Sequence, residues 1–142
     1  MGDFNSKDEF VEVLGRVLTL MSTDAEMGPR LRAANTAQKF VFPDQDVVVN
    51  ITAAPEEQDD GNNLVWVLSD DIEWEPEVVM TMDSAIANRY FQGRENVAMA
   101  IARRRIEASG NVQRALAIFP ITKKLFVPYR ELLEREYPHL VE

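Results

Sequence analysis

The chain has 142 residues, 46% apolar and 27% charged, with a net charge of −9 and no cysteine. These figures fit one globular domain over residues 1–142, and they exclude disulfides, thiolate metal sites and cysteine nucleophiles. The negative charge argues against a nucleic-acid partner, because phosphate neutralisation supplies most of that affinity.

Acids at Asp3, Asp8, Glu9 and Glu12 interrupt the first twenty residues, so this stretch reads as neither a signal peptide nor a membrane span. With no longer apolar run further on, a cytoplasmic protein is the expectation. Ser6-Lys7-Asp8-Glu9 has capping-box form. Phe10, Val13, Leu14, Val17, Leu18 and Met21 then recur at helical spacing, which predicts an amphipathic helix with one face to bury. Gly28-Pro29 reads as its stop. Pro43-Asp44 reads as a turn after a first strand ending at Phe42.

Val47–Ala54 alternates, with Val47, Val49, Ile51 and Ala53 on one face. Asp60-Gly61 marks a hairpin tip over 55–63, and Leu64–Ser69 is the returning strand. The acidic stretch after it reads as a connector to another place in the sheet. Glu77–Met82 reads as a fourth strand with Val78, Met80 and Met82 on one side. Asp83 or Ser84 caps a helix running to Phe91, with Gly93 at its C′ position. Asn96–Ala102 is a second helical piece, Arg105–Ser109 a fifth strand, and Gly110-Asn111 the start of a helix ended by Pro120. Thr122 caps a last helix, in which Pro128 predicts a kink or split. The order gives an α+β fold: an antiparallel three-strand meander, a crossover, two further strands, and helices gathered on one face.

The chain offers little catalytic chemistry. His139 is the only histidine and lies next to Pro138, where an exposed tail residue is expected rather than a general base. Asp70, Asp71, Glu73 and Glu75 lack the spacing of a calcium loop and read as a solvated connector. No phosphate-binding glycine loop is present. No catalytic residue, cofactor or metal is therefore expected. Arg103-Arg104-Arg105 sits at a helix-to-strand junction with no interleaved aromatics, so its side chains fan out instead of lining a nucleic-acid groove.

Charge is unevenly placed. Residues 40–88 contain twelve acids and no Lys or Arg, whereas residues 89–142 contain ten Lys or Arg against six acids. Two readings stand: solvated acidic edges, or a polar molecule that presents a basic end to anionic lipid or to a partner. Soft apolar residues also cluster, with Met80, Met82, Ile86, Phe91, Val97, Met99 and Ile101 close in sequence. They make either an ordinary core or a pocket that suits an apolar guest.

The segment Met80–Ile118 resembles the signature region of the sterol carrier protein, or lipid-transfer, domain family. The resemblance is carried by the strand over Val79–Asp83, Phe91-Gln92-Gly93, the small-residue helix over Val97–Ala102, the strand over Arg105–Ser109 and Gly110-Asn111. A looser similarity covers the rest, including the opening meander. One departure is Arg104, where the family often has glycine before the last strand. The resemblance implies a five-stranded mixed sheet with helices packed on one face, enclosing an apolar tunnel that holds a fatty acyl chain, a sterol or a similar lipid without covalent chemistry.

On that reading, face assignment puts Val49, Ile51, Trp66, Met80 and Met82 on the floor, and Ile86, Phe91, Val97, Met99, Ile101, Leu116 and Phe119 on the wall. The expected function is non-catalytic carriage of a long apolar molecule, with transient membrane or enzyme contact. The alternative is an accessory protein that presents an apolar intermediate, such as a quinone precursor or an acyl-CoA, to partner enzymes.

Overall fold

The computed structural model describes residues 3–56 and 58–142. Met1, Gly2 and Glu57, the last within the expected hairpin tip, lie outside the described residues. Helix α1 spans Lys7–Thr23, and the Ser6 hydroxyl accepts the Glu9 N–H at 3.1 Å. The Glu9 carboxylate accepts from Asn5 N–H at 2.9 Å instead of closing the box onto Ser6. Phe10, Val13, Leu14, Val17 and Leu18 are all at most 3% exposed, as their spacing predicts.

Gly28-Pro29 does not end a helical region; it lies in the first turn of α2, Met27–Ala34. Pro29 is tolerated because a first-turn N–H has no intrahelical acceptor. Gly28 is there for space: a Cβ would lie 2.5 Å from the Ser22 carbonyl oxygen and 2.6 Å from Asn63 Nδ2. The start signal is Asp24, whose carboxylate accepts from Glu26 N–H at 3.0 Å and Met27 N–H at 2.7 Å.

Strands β1 (Gln38–Phe42), β2 (Val47–Ala53) and β3 (Leu64–Val67) form the antiparallel meander, with Gly61 in the left-handed region at the second turn. The chain then crosses to β4 (Val78–Thr81), parallel to β1, and β5 (Glu107–Gly110) closes the other edge antiparallel to β4. The five-stranded sheet has the order β3-β2-β1-β4-β5. Strands β3 and β4 are shorter than expected, and β5 is shifted towards Gly110.

Phe40 stands opposite Val49 and Met80, so Gln38, Phe40 and Phe42 share a face with Val49, Ile51, Val78 and Met80. The crossover lies against the other face. There, Lys39 Nζ pairs with Asp70 at 2.7 Å and Asn50 Nδ2 donates to the Ser69 carbonyl at 2.7 Å. The acids of this connector thus remain on the side of the sheet away from the helices.

Helices α3 (Ser84–Phe91), α4 (Val97–Ala102), α5 (Val112–Thr122) and α6 (Phe126–Glu136) complete the fold. Asp83 occupies the α3 cap position, but Asp44 from the β1–β2 turn performs the capping. Its carboxylate accepts the Ser84 N–H at 3.0 Å and the Ser84 hydroxyl at 2.6 Å. Pro120 does not end α5, which continues to Thr122; Pro120 is exposed, so water can reach the carbonyl its missing N–H leaves free. Thr122 caps no helix. A 3-10 turn over Lys123–Leu125 leads into α6 instead, and Pro128 sits in the first turn of α6, where neither a kink nor a split is required.

Candidate functional site

The sheet and its helices do not close on each other everywhere. Between them lies an apolar cavity with about 80 Å³ open to the centre of a water-sized group, several times the roughly 10–15 Å³ that one water needs. Its floor comes from Phe40 and Phe42 of β1, Val49 and Ile51 of β2, and Met80 of β4. Leu14, Leu18 and Met21 of α1 close one side, together with Leu31 of α2. The opposite wall is Ala87, Tyr90 and Phe91 of α3, Val97 of α4, and Ile118 and Phe119 of α5. Phe40 sits in the central strand yet is only half-buried, as are Tyr90, Phe91 and Phe119, because the void takes the place of packing atoms.

No charged side chain borders the cavity among the described residues. Its polar lining is Thr36, Gln38, Tyr90 and Thr122. The Thr36 hydroxyl donates to the Ala34 carbonyl at 3.1 Å, and Thr122 donates to the Phe119 carbonyl at 2.9 Å while sharing a hydrogen bond with the Tyr90 hydroxyl. Burial pushes the Tyr90 phenol up to about 12, against the opposing effect of that Thr122 bond. Only the Gln38 amide, half-buried at the start of β1, makes no side-chain hydrogen bond among the described residues.

Beside the cavity the interior is fully packed. Tyr129 of α6 donates to Asn88 Oδ1 at 2.7 Å, and Asn88 Nδ2 donates to the Leu140 carbonyl at 2.9 Å. Gln92 Nε2 reaches the same carbonyl at 3.0 Å. These bonds tie the C-terminal tail to α3, and burial holds the Tyr129 phenol well above its usual range. His139 is exposed on that tail, 2.9 Å from a Glu9 carboxylate oxygen and away from the cavity. Gly93, at positive φ after α3, admits the Phe126 ring, which would stand 2.8 Å from a Cβ there.

Seven of the residues placed on floor or wall from the sequence border the cavity: Val49, Ile51, Met80, Met82, Phe91, Val97 and Phe119. Five do not. Ile86 is buried in the core beside it. Trp66 lies across from Ile51 but borders a separate open recess with Val11, Gly15 and Leu132. Ile101 is half-buried on α4, while Met99 and Leu116 point outward, 43% and 37% exposed. The reason is local: α4 is apolar all round, so no polar residue marks its outer face, and burial falls on Val97 and Ala100 alone.

Sequence reasoning missed Leu14, Leu18, Gln38, Phe40, Tyr90 and Ile118 as lining residues. The signal for Phe40 was available in its alternation with Gln38 and Phe42. The arginine triplet is resolved in part. Arg105 pairs with Glu95 at 2.6 Å, Glu95 also meets Arg89 at 3.1 Å, and its side chain is only 5% exposed. Arg104 adopts φ of 60°, the left-handed conformation that glycine takes most readily.

No protein-family model matches the chain, and no curated protein matches its sequence. Solved structures match its fold. The ubiquinone synthesis protein UbiJ-SCP2 aligns with a TM-score of 0.61 at 5% identity, over 87% of this chain and 95% of that one. Apo sterol carrier protein 2 from Yarrowia lipolytica aligns with a TM-score of 0.57 at 10% identity, over 86% and 94%. A mutant of the sec-alkylsulfatase PisA1 aligns with a TM-score of 0.60 at 11% identity over 78% of this chain; the chain spans only 16% of that enzyme's length. At these identities the likeness is one of fold, and the fold is that of sterol carrier protein 2 domains.

Proposed function

We propose that the protein binds and carries a lipid with a neutral polar end, without transforming it, and that the cavity beneath α3, α4 and α5 is the binding site. The observation that carries this reading is the uncharged lining around unfilled space. An apolar guest there replaces missing packing contacts, at about 0.8 kcal/mol for each CH₂ buried. An ionised carboxylate would lose its hydration inside such a lining with no partner charge. An alcohol, ester or quinone oxygen could instead accept from the Gln38 amide.

The space as it stands suits a short segment of such a guest. A longer chain requires α4 and α5 to move outward, and the flexible Met21, Met80 and Met82 side chains to repack. The likeness in fold to sterol carrier protein 2 supports the same class of ligand. Organic extraction of the purified protein followed by mass spectrometry should recover a co-purified neutral lipid. A fluorescent long-chain alcohol should bind more tightly than the ionised fatty acid of equal length. No recovered lipid and no binding of either probe would sink the proposal.

A second reading uses the same cavity to present an apolar intermediate, such as a quinone precursor, to an enzyme. It is favoured by the match over nearly the whole length of a ubiquinone synthesis protein. A stable enzyme partner recovered from cells by affinity purification, and released by charge reversal at Lys123 and Lys124, would distinguish it from simple carriage.

A further inference from the structure

We infer that the outer face of α4 and α5 is a docking surface for an anionic lipid bilayer, the surface through which the cavity exchanges its ligand. The purpose rests on the lipid-carrier reading above; the docking itself does not. Ala98, Met99 and Ala102 of α4 and Leu116, Ala117 and Pro120 of α5 are all exposed, and none carries a charge. Past the first turn of α6, where Val127 and Pro128 are also exposed, the exposed positions Glu131, Glu134, Arg135 and Glu136 are all charged, the ordinary composition of a helix facing water. An uncharged outer face on two helices that also wall the cavity therefore requires a reason.

Charge supplies the second observation. Residues 96–130 hold seven Lys or Arg against one acid, in a chain whose net charge is −9. Arg105, Arg114 and Lys124 are engaged with Glu95, Glu77 and Glu26. Arg103, Arg104 and Lys123 are exposed and make no ion pair among the described residues. The acidic crossover lies on the opposite face of the sheet, held there by Lys39–Asp70 and Asn50–Ser69. An anionic surface would thus attract the helical side and repel the crossover, turning the molecule so that α4 and α5 meet the bilayer.

The exposed apolar groups then enter the acyl boundary, while Val97, Ile118 and Phe119 on the inner sides of the same helices border the cavity. A lipid would cross about one helix thickness without meeting a charged side chain. Apart from the Gln113 amide at the start of α5, the outer face offers only aliphatic exposed groups, whereas protein interfaces centre on aromatic and arginine anchors in desolvated pockets. The occupant is accordingly a bilayer and not an acidic protein.

The test is co-sedimentation of the full chain with vesicles of phosphatidylcholine alone and with vesicles that also contain phosphatidylglycerol. Binding should appear with the mixed vesicles only and weaken as salt rises. Arg103→Gln with Arg104→Gln should lower partitioning roughly thirtyfold, at about 1 kcal/mol per base. Met99→Gln with Leu116→Gln should lower partitioning and slow transfer of a fluorescent lipid between vesicles. Val65→Gln with Leu68→Gln, on β3 and the crossover, should leave both unchanged, with circular dichroism checking the fold of each variant. Equal binding to neutral vesicles, no binding at low salt, or loss only with the Val65 and Leu68 variants would overturn the inference. So would retention on immobilised polyglutamate without vesicle binding, which would assign the face to an acidic protein. Vesicle docking by a chain that binds no free fluorescent probe would remove the carrier reading and leave the docking surface standing.

Discussion

The interior of this protein has two unlike halves. On one side, Val17, Leu125, Tyr129, Leu133 and Leu140 have no exposed surface, and Asn88 and Gln92 are hydrogen-bonded to the tail that closes over them. On the other, Phe40, Tyr90, Phe91 and Phe119 border a void and remain half-buried. The packed half contains α6, whose Tyr129, Leu132 and Leu133 are all buried, together with the part of α1 around Val17. The hollow half is roofed in part by α4, six residues long and buried at only Val97 and Ala100. The proposed binding role needs walls that can yield without unfolding the domain, and dividing the interior in this way separates the two demands.

Substitutions should therefore report which half they touch. The largest effect is expected from Leu133→Ala in the packed half. It should lower the unfolding free energy by about 3 kcal/mol in a urea titration, through lost burial and an unrelaxed cavity. Tyr129→Phe should cost about 1–3 kcal/mol by the same measurement, because it leaves the buried Asn88 Oδ1 without the donor at 2.7 Å. In the hollow half, Val97→Phe should change stability by less than about 1 kcal/mol, since the added ring has space to enter. It should nevertheless abolish fluorescent-lipid binding. If Val97→Phe destabilises as much as Leu133→Ala, the two halves do not differ and the void is not usable space.

Arg104→Gly probes the junction between α4 and β5. Relief of the left-handed backbone at φ of 60° should outweigh the added chain entropy and stabilise by several tenths of a kcal/mol, up to about 1. A melting experiment that finds Arg104→Gly destabilising would show that the side chain does more than tolerate the position. The last effect is absent at neutral pH. Below pH 10 the Tyr90 phenol is neutral in both folded and unfolded chains. Above that, the unfolded chain ionises first, while burial delays the folded phenol to about 12, so stability should fall between about pH 10 and 12. Tyr90→Phe should remove its share of that loss, as read from unfolding midpoints across the range.

The sequence by itself determined most of the elements and the faces of the strands. Alternation put Val49, Ile51, Met80 and Met82 on one side of the sheet, and three- and four-residue spacing set the buried face of α1, because both periods follow from backbone geometry alone. The signature from Phe91 to Asn111 was enough to indicate the sterol carrier fold. Tertiary structure decided what local signals could not carry. Asp44 caps α3 from across the chain, Gly28 is required by the approach of Ser22 and Asn63, and α5 passes through Pro120 on the solvent side. The faces of α4 and α5 belong to the same class. Helix α4 is apolar all round and α5 carries no polar residue from Ala115 to Ile121, so the position of the sheet turned Val97 and Phe119 inward and left Met99 and Leu116 outside.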